Sequence, residues 1–344
     1  MKIRDPIADY VVSDTDYVVS LIRDMYPTWQ PNTNIVCPHH EDTNASLSIT
    51  PQGKAFCFGC GYRAANIIEL FGDMYDMSYL DSRTMIYEDM VKAIPMKKVE
   101  AYVRNLHKRK SVLRYLTEER HLSPNVIVAH ALGYDTYTDR ITIPVFDKFG
   151  TCVNIRKYNT CADPKMINTK GHGEFRIYPE EVLLDPKKQN IMLVEGEFDA
   201  LVGSTMGIDA VTGTGGAGNW DDKFNWMFQN KNVFVLYDND MVGKQGAKDV
   251  CDKLKGIATY VTTLDPPTNT FGKDLSDWWE YGDEVKAQIK HVLKTKAVHK
   301  MTCMSCGASV KTVTSLEPYS GMHTMDVCAK CKKVLKQLKW QVVK

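Results

Sequence analysis

The chain has 344 residues, of which 44% are hydrophobic, and a net charge of +1, so two or three domains with real cores are expected. No run of about eighteen apolar residues occurs, which argues against a membrane-spanning helix. The N-terminal residues lack the apolar stretch of a signal peptide. We therefore expect a cytoplasmic protein, in the host cytoplasm if a phage encodes it, with no membrane partner. In that reducing compartment, paired cysteines indicate metal sites rather than disulfides.

The small net charge conceals four blocks of alternating sign. Residues 1–96 carry a net charge of −6 and residues 97–176 carry +7, whereas residues 177–283 carry −9 and residues 284–344 carry +9. The basic blocks suit phosphate groups and the acidic third block suits cations. Solvated surface faces explain such blocks equally well, so both interpretations stay open.

The N-terminal half alternates between helical and β-rich sections. Asn66 is a predicted N-cap, and residues 147–150 form a predicted turn between two strands. The predicted helices cover 7–27, 67–72 and 77–120, the last with a boundary near Pro95, and the predicted strands cover 47–49, 55–57, 141–143 and 152–155.

From residue 190 onward, strands and helices alternate regularly. Predicted strands at 191–194, 209–211, 232–237 and 258–263 alternate with predicted helices at 198–206, 220–229, 245–255 and 274–281. This order is typical of a parallel sheet covered by helices. A basic helix or linker is expected over 286–300, followed by a small cysteine-bearing tail.

Two pairs of metal-ligating residues lie near the N-terminus. Cys37 and His40 form a C-x2-H pair, and Cys57 and Cys60 form a C-x2-C pair, with sixteen residues between the two pairs. Two-residue spacing lets both side chains of a pair reach one tetrahedral ion, and thiolate with imidazole suits zinc. Four protein ligands leave no position for water, so the predicted zinc site is structural. His39 is the alternative histidine, and the spacing favours His40.

Carboxylates follow two strands of the predicted parallel sheet. Glu195 comes directly after the first strand, and Asp238 and Asp240 follow a later one. Ligands of α/β proteins bind beyond the carboxyl ends of such strands, and alternate carboxylates there can converge on one hard cation. Metal-assisted phosphoryl transfer uses this arrangement, because the ions screen a triphosphate and activate the attacking hydroxyl. An isolated Asp-x-Asp is ordinarily a surface turn, and the preceding Glu195 motif argues against that explanation here.

Two further segments leave alternatives open. The glycine-rich loop 212–218 either presents backbone N–H groups to a phosphate or simply connects a strand to a helix. No Walker A sequence occurs, so a nucleotide-hydrolysing helicase module is not expected. The lysine-rich tail suits either nucleic acid or a protein partner. Two C-x2-C pairs in the same tail predict a second zinc ribbon, whose four ligands are Cys303, Cys306, Cys328 and Cys331.

Three segments resemble one known family. The residues around Cys37–Cys60, with the helix that follows them, resemble the zinc ribbon of bacterial and phage replicative primases. The segments at Glu195 and Asp238–Asp240 resemble the Toprim domain of these primases, of topoisomerases and of some nucleases, and this resemblance implies Asp274 as a further metal ligand. The segment before the sheet resembles the basic part of the primase core. It implies nucleotide and template contacts from Arg140, Arg156, Lys157 and Lys165.

The combined order implies a phage-type DNA primase, which synthesises RNA primers from ribonucleoside triphosphates on single-stranded DNA by metal-dependent nucleotidyl transfer during replication. Expected cofactors are structural zinc and catalytic Mg²⁺ or Mn²⁺. The template, the nucleotides and the RNA–DNA hybrid are the expected partners, and a replicative helicase on a separate chain is a further candidate. A Toprim nuclease and a non-catalytic single-stranded DNA-binding protein are the alternatives. Whether Glu195 ligates metal or serves as general base stays open.

The expected fold class is α/β, in four domains. Residues 1–96 form a zinc-binding domain, and residues 97–189 form a basic α+β subdomain of an RNA-polymerase core. Residues 190–285 form the Toprim subdomain with its parallel sheet, and residues 286–344 form a small C-terminal zinc ribbon.

Overall fold

The computed structural model describes residues 5–216, 218–265, 274–296, 300–302 and 309–311. The four cysteines of the predicted second zinc ribbon lie outside these residues. The chain divides into two compact units, one ending at Asp185 and the other beginning at Pro186. The finer division into four domains stays a prediction.

The first unit combines short helices with small antiparallel sheets. Its helices are α1 (Pro6–Ser13), α2 (Thr15–Met25), α3 (Ile67–Tyr75), α4 (Tyr79–Met90), α5 (Met96–Lys108), α6 (Lys110–Arg114), α7 (Pro124–Ala129) and α8 (Glu181–Leu184), with a π-helical turn at Tyr115–Glu119. Its strands are β1 (Asn34–Ile35), β2 (Leu47–Ile49), β3 (Ala55–Cys57), β4 (Arg63–Ala64), β5 (Gly133–Asp135), β6 (Arg140–Phe146), β7 (Cys152–Tyr158), β8 (Met166–Ile167) and β9 (Ile177–Tyr178).

An N-terminal module forms around one hydrophobic core. Strands β1 to β4 pair in sequence order as an antiparallel sheet, and helices α1 to α4 pack on its apolar side chains. Trp29 is almost fully buried there, and its indole N–H donates to the carbonyl of Ile49 at 3.1 Å, which satisfies its only polar atom. The predicted cap is confirmed: the Asn66 side chain accepts hydrogen bonds from the backbone N–H groups of Ile68 and Glu69 and so starts α3.

The basic part of the first unit is built on a second antiparallel sheet. Strands β5 to β8 pair in sequence order, and β6 and β7 form the predicted hairpin around residues 147–150. Asp147 Oδ1 accepts from the N–H groups of Phe149 and Thr151, which closes the turn. The long strands β6 and β7 are buried on most of their length, so this hairpin supplies the centre of the subdomain.

The second unit contains the predicted parallel sheet. Its elements are β10 (Asn190–Val194), α9 (Glu197–Thr205), β11 (Ala210–Gly213), β12 (Asn232–Leu236), α10 (Met241–Leu254), β13 (Tyr260–Thr263), α11 (Gly282–Lys296), β14 (Lys300–Thr302) and β15 (Ser309–Lys311). Two 3₁₀ turns lie at Asp222–Phe228 and Trp279–Tyr281. Strands β13, β12, β10 and β11 pair in that order and all run parallel, so their carboxyl ends share one edge.

The structure corrects several predicted elements. The single helix predicted over 7–27 is two helices, because the Asp14 carboxylate accepts from the N–H of Tyr17 and starts α2. The helix predicted over 220–229 is a 3₁₀ turn. The segment predicted as a helix over 274–281 is turns and a 3₁₀ turn, with α11 beginning only at Gly282. None of the helices in the described ranges is both long and apolar enough to span a membrane.

Candidate functional site

The structure brings Cys37, His40, Cys57 and Cys60 together in the N-terminal module. Their donor atoms all lie within 4.8 Å of one another, with Cys37 Sγ 3.9 Å from Cys60 Sγ and Cys57 Sγ 3.9 Å from His40 Nδ1. A tetrahedral ion with Zn–S bonds of about 2.3 Å places two sulfur ligands about 3.8 Å apart. The four residues therefore fit zinc, and as a closed set of protein ligands they fit a structural ion.

Backbone N–H groups donate hydrogen bonds to the sulfur of Cys57 and favour its metal-binding thiolate form. The N–H groups of Gly59 and Cys60 both donate to Cys57 Sγ at 3.3 Å. Burial raises the pKa of the Cys57 thiol, but these bonds and the Ser46 hydroxyl outweigh it and lower the pKa to about 6. The thiolate, which is the form that binds metal, is thus favoured at this position.

Asp42 organises the loop that carries the other pair. Its carboxylate accepts from the N–H of Cys37 at 2.9 Å and from the N–H and hydroxyl of Ser46 at 3.1 and 2.7 Å. Asp42 Oδ1 also lies 3.9 Å from His40 Nε2, beyond hydrogen-bond distance. Asp42 was not among the predicted site residues, because sequence alone does not distinguish it from the neighbouring Glu41.

The alternative histidine has a different position. His39 stacks on Tyr62 with ring centroids 3.8 Å apart and does not join the cluster of donor atoms. The His40 ring instead lies against Gly59, where an added Cβ would be 2.6 Å from His40 Nε2. The geometry therefore favours His40 over His39 as the fourth ligand.

The acidic residues of the second unit lie at the shared carboxyl edge of the parallel strands. Val194 is paired in register with Leu236, so Glu195 and the Asp238–Asp240 loop leave the sheet side by side. Glu195 Oε2 accepts from the N–H of Asp238 at 3.2 Å, which joins the two motifs directly. Glu195 and Asp238 are half-buried, and Asp240 is exposed.

Asp240 also begins helix α10. Its Oδ1 atom accepts from the N–H groups of Val242 and Gly243 at 3.0 and 2.8 Å. A side chain at position 243 has no room, because an added Cβ would lie 2.3 Å from the Asp238 carbonyl oxygen. Gly243 therefore lets helix α10 start directly after the acidic loop, in close contact with the backbone of Asp238.

Asp199 is a functional candidate that the sequence analysis did not assign. It is buried on α9, one helical turn after Glu195, and accepts from the N–H and hydroxyl of Ser276 at 3.1 and 2.8 Å. Burial and the charges of Asp274 and Asp238 raise its pKa to about 7. These contacts fix the segment that carries Asp274. Asp199 lies in the first turn of α9, directly after the Glu195 motif.

The acidic residues are less closely gathered than the zinc ligands. Among the described residues, only the Cys37 group has three or more metal-ligating side chains whose donor atoms lie within 4.8 Å of one another. The Asp240 carboxylate is turned toward its own helix, and that of Asp274 accepts from the N–H of Asp277 at 2.9 Å. The oxygen donors suit a hard divalent cation, and Glu195, Asp238 and Asp240 would hold it at this edge.

Two family models match the chain. Residues 13–102 match the CHC2 zinc finger, and residues 192–279 match the Toprim-like family. Together the two models cover more than half of the chain, in the order expected from the sequence. The chain therefore contains a CHC2 zinc finger followed by a Toprim-like domain. Among curated proteins, no sequence matches it.

Several solved primases have similar structures. The zinc-binding and RNA polymerase domains of the Aquifex aeolicus primase are 20% identical, with a TM-score of 0.49 and coverage of 84% of this chain and 86% of that one. The primase fragment of the bacteriophage T7 primase-helicase is 13% identical, with a TM-score of 0.47 and coverage of 76% and 97%. A DnaG catalytic domain bound to single-stranded DNA is 18% identical, with a TM-score of 0.47 and coverage of 57% and 76%.

The basic residues predicted to contact nucleotide or template differ in their surroundings. The Arg140 guanidinium is buried and donates to the backbone carbonyls of Lys157, Pro164 and Lys165, so it braces the β6–β7 hairpin. Arg156 donates to the Asn168 side chain at 2.8 Å. Lys165 is exposed, and so it is the most accessible of the four.

Lys157 forms a buried ion pair with Asp135. Its Nζ lies 2.7 Å from Asp135 Oδ2, and the two side chains are only 12% and 6% exposed. Burial alone raises the pKa of Asp135, but Lys157, Thr138 and the Tyr137 N–H outweigh it and lower that pKa. The pair therefore stabilises the fold above the ordinary pKa of an aspartate, and this stabilisation is lost as the pH falls below that range.

Removal of one partner of this pair should destabilise the first unit strongly. Lys157→Met leaves the Asp135 carboxylate buried without its cation, and we expect a loss of about 3–5 kcal/mol in the free energy of unfolding. Urea denaturation measures the loss, and Lys165→Met, at an exposed lysine, should change stability by less than about 0.5 kcal/mol. Equal effects of the two substitutions would contradict the structural role of Lys157.

An aromatic cavity lies in the same subdomain. It has a volume of about 500 Å³ and is lined by Tyr115, Tyr134 and Tyr158, with Ser111 and Asn159 among its polar groups. Arg120 donates to the hydroxyls of Tyr115, at 2.8 Å, and Tyr158, so the guanidinium fixes two of the rings. Sequence analysis did not identify the cavity, because its residues come from four separate segments.

Proposed function

We propose that this chain is a DNA primase that synthesises RNA primers from ribonucleoside triphosphates on single-stranded DNA. The observation that carries the proposal is the presence, in one chain, of a CHC2 zinc finger followed by a Toprim-like domain whose carboxylates lie at one sheet edge. Each of the two modules alone also occurs in proteins with other functions. A nuclease shares the acidic edge, and many binding proteins have a zinc ribbon.

The acidic edge supplies the catalytic groups in this proposal. Asp238 and Asp240 hold Mg²⁺ or Mn²⁺, which neutralises the triphosphate and stabilises the leaving pyrophosphate when bound. Glu195 either completes the ligand set or accepts the proton of the attacking 3′-hydroxyl. Its hydrogen bond from the Asp238 N–H holds it next to the other acids in either role. Asp274 serves as a further ligand, and Asp199 positions it.

The first unit supplies the contacts to nucleic acid in this proposal. The zinc ribbon of Cys37, His40, Cys57 and Cys60 contacts the template, and Lys165 and Arg156 contact phosphates. Residues 97–176 carry a net charge of +7, and the exposed Tyr137 and the aromatic cavity suit stacking with unpaired bases.

One assay separates primase from its rivals. The chain is incubated with single-stranded DNA, labelled ribonucleotides and either Mg²⁺ or Mn²⁺. We expect template-dependent RNA oligomers, and the more active metal identifies the catalytic ion. Shortening of the DNA without RNA synthesis would instead establish the nuclease, and binding without turnover would establish the non-catalytic alternative.

A further inference from the structure

An apolar groove lies on the N-terminal module, between helices α2, α3 and α4. Its volume is about 370 Å³. Phe71 and Ile86 are buried at its floor, and the rim includes Tyr75 and Met85, which are 51% and 53% exposed. Exposed aromatic and methionine side chains that share one groove are typical of a binding surface.

The surroundings of the groove are acidic. Asp89 is the one charged residue that lines it, and Asp89 Oδ2 accepts from the Tyr17 hydroxyl at 2.8 Å. Burial, this bond and the charges of Asp89, Asp24 and Asp14 raise the pKa of Tyr17. The Asp89 carboxylate thus places a negative charge at the groove. Residues 1–96 as a whole carry a net charge of −6, so the complementary partner is basic.

The shape of the groove indicates the secondary structure of the partner. Its lining consists of side chains on three helices and the short α3–α4 connection, with no strand edge to pair with. An occupant must therefore satisfy its own backbone hydrogen bonds, as a helix does. Helices α3 and α4, which both line the groove, pack closely at Gly72, where an added Cβ would be 2.9 Å from Ser82 Oγ. This close contact fixes the two helices relative to each other.

We propose that this groove binds a basic amphipathic helix of a partner protein, with the apolar face of that helix on Tyr75 and Met85 and its cationic side chains toward Asp89. The groove shares no lining residue with the zinc site or with the acidic edge of the second unit. It gives the chain a protein-docking site in addition to its proposed activity.

Binding of synthetic helices tests the proposal. The probes are two fluorescent amphipathic peptides of about five helical turns with the same leucine-rich face, one flanked by lysines and the other by glutamates. Fluorescence anisotropy with the full chain should show binding of the lysine peptide, weakened by salt, and at least tenfold weaker binding of the glutamate peptide. Equal binding of both peptides, or of neither, overturns the proposal.

Matched substitutions locate the binding surface. Met85→Lys should weaken binding of the lysine peptide by about tenfold or more, because it places a cation on the rim. Met74→Lys is the control, since Met74 is 40% exposed on α3 and does not line the groove. Both variants should retain wild-type zinc content, which reports correct folding of the module. Equal effects of the two substitutions overturn the assignment.

Two other occupants would also overturn it. If the chain forms a dimer that Met85→Lys dissociates, the groove binds a second copy. If the lysine peptide binds only after residues 328–344 are removed, the basic tail of the chain occupies the groove. Analytical ultracentrifugation and the truncated chain distinguish these results from binding of a partner helix.

Discussion

Asp240→Asn should reduce primer synthesis by at least about a thousandfold without unfolding the chain. The substitution removes one negative charge from the metal-binding edge, where a bound cation contributes several kcal/mol to transition-state stabilisation. Asparagine is as good an N-cap as aspartate, and its side-chain oxygen can accept the same bonds from the N–H groups of Val242 and Gly243. Loss of activity in Asp240→Asn would therefore result from the missing carboxylate charge and not from a change in the fold.

The control for this prediction lies on the same helix. Asp249 is exposed on α10 and accepts from the Gln245 side chain, away from the sheet edge. Asp249→Asn should leave primer synthesis within about twofold of wild type. The measurement is the initial rate of labelled RNA formation at saturating metal, with thermal unfolding of each variant recorded in parallel. Full activity of Asp240→Asn would remove Asp240 from the catalytic set.

Cys57→Ala should release zinc from the N-terminal module and unfold it. Cys57 is fully buried between the sheet and the helices, and structural zinc contributes about 10 kcal/mol or more to small zinc-dependent folds. We expect about two zinc ions per chain in the wild type, including the predicted tail site, and one fewer in the variant. Atomic absorption measures the zinc, and circular dichroism measures the loss of helices α1 to α4.

Cys161→Ala is the matched control, because Cys161 is exposed and lies outside the ligand cluster. It should retain both zinc ions and normal stability. Template-dependent initiation should be lost in Cys57→Ala. A Cys57→Ala chain with unchanged zinc content would show that the four residues do not hold the ion.

Local sequence signals predicted the elements with strong periodicity or capping. The alternation after residue 190 predicted the parallel sheet correctly, because its strands are continuous apolar runs separated by helices. The Asn66 cap was equally direct. The helix division at Asp14 was missed since apolar spacing continues across it, and only the cap reveals the break. The short strands β1, β4 and β8 have too few residues to form a pattern.

In the candidate sites too, residues close in sequence were predictable, and contacts between residues distant in sequence were not. Spacing within a chain segment was sufficient to predict the zinc ligands that the fold brings together. The role of Lys157 was not predictable, because its partner Asp135 lies on another strand and the pair becomes visible only when the hairpin is folded. The same reason applies to Asp199, whose partner Ser276 is 77 residues away.

The contact between Gly59 and His40 has a consequence for sequence variation. An imidazole over position 59 leaves no space for even a methyl group, so the two positions constrain each other. A relative that keeps histidine at position 40 should keep glycine at position 59. A relative with a cysteine at position 40, whose shorter side chain approaches the ion differently, should accept alanine or serine there. A redesign of this zinc ribbon to four cysteines would therefore gain a position at which glycine is no longer required.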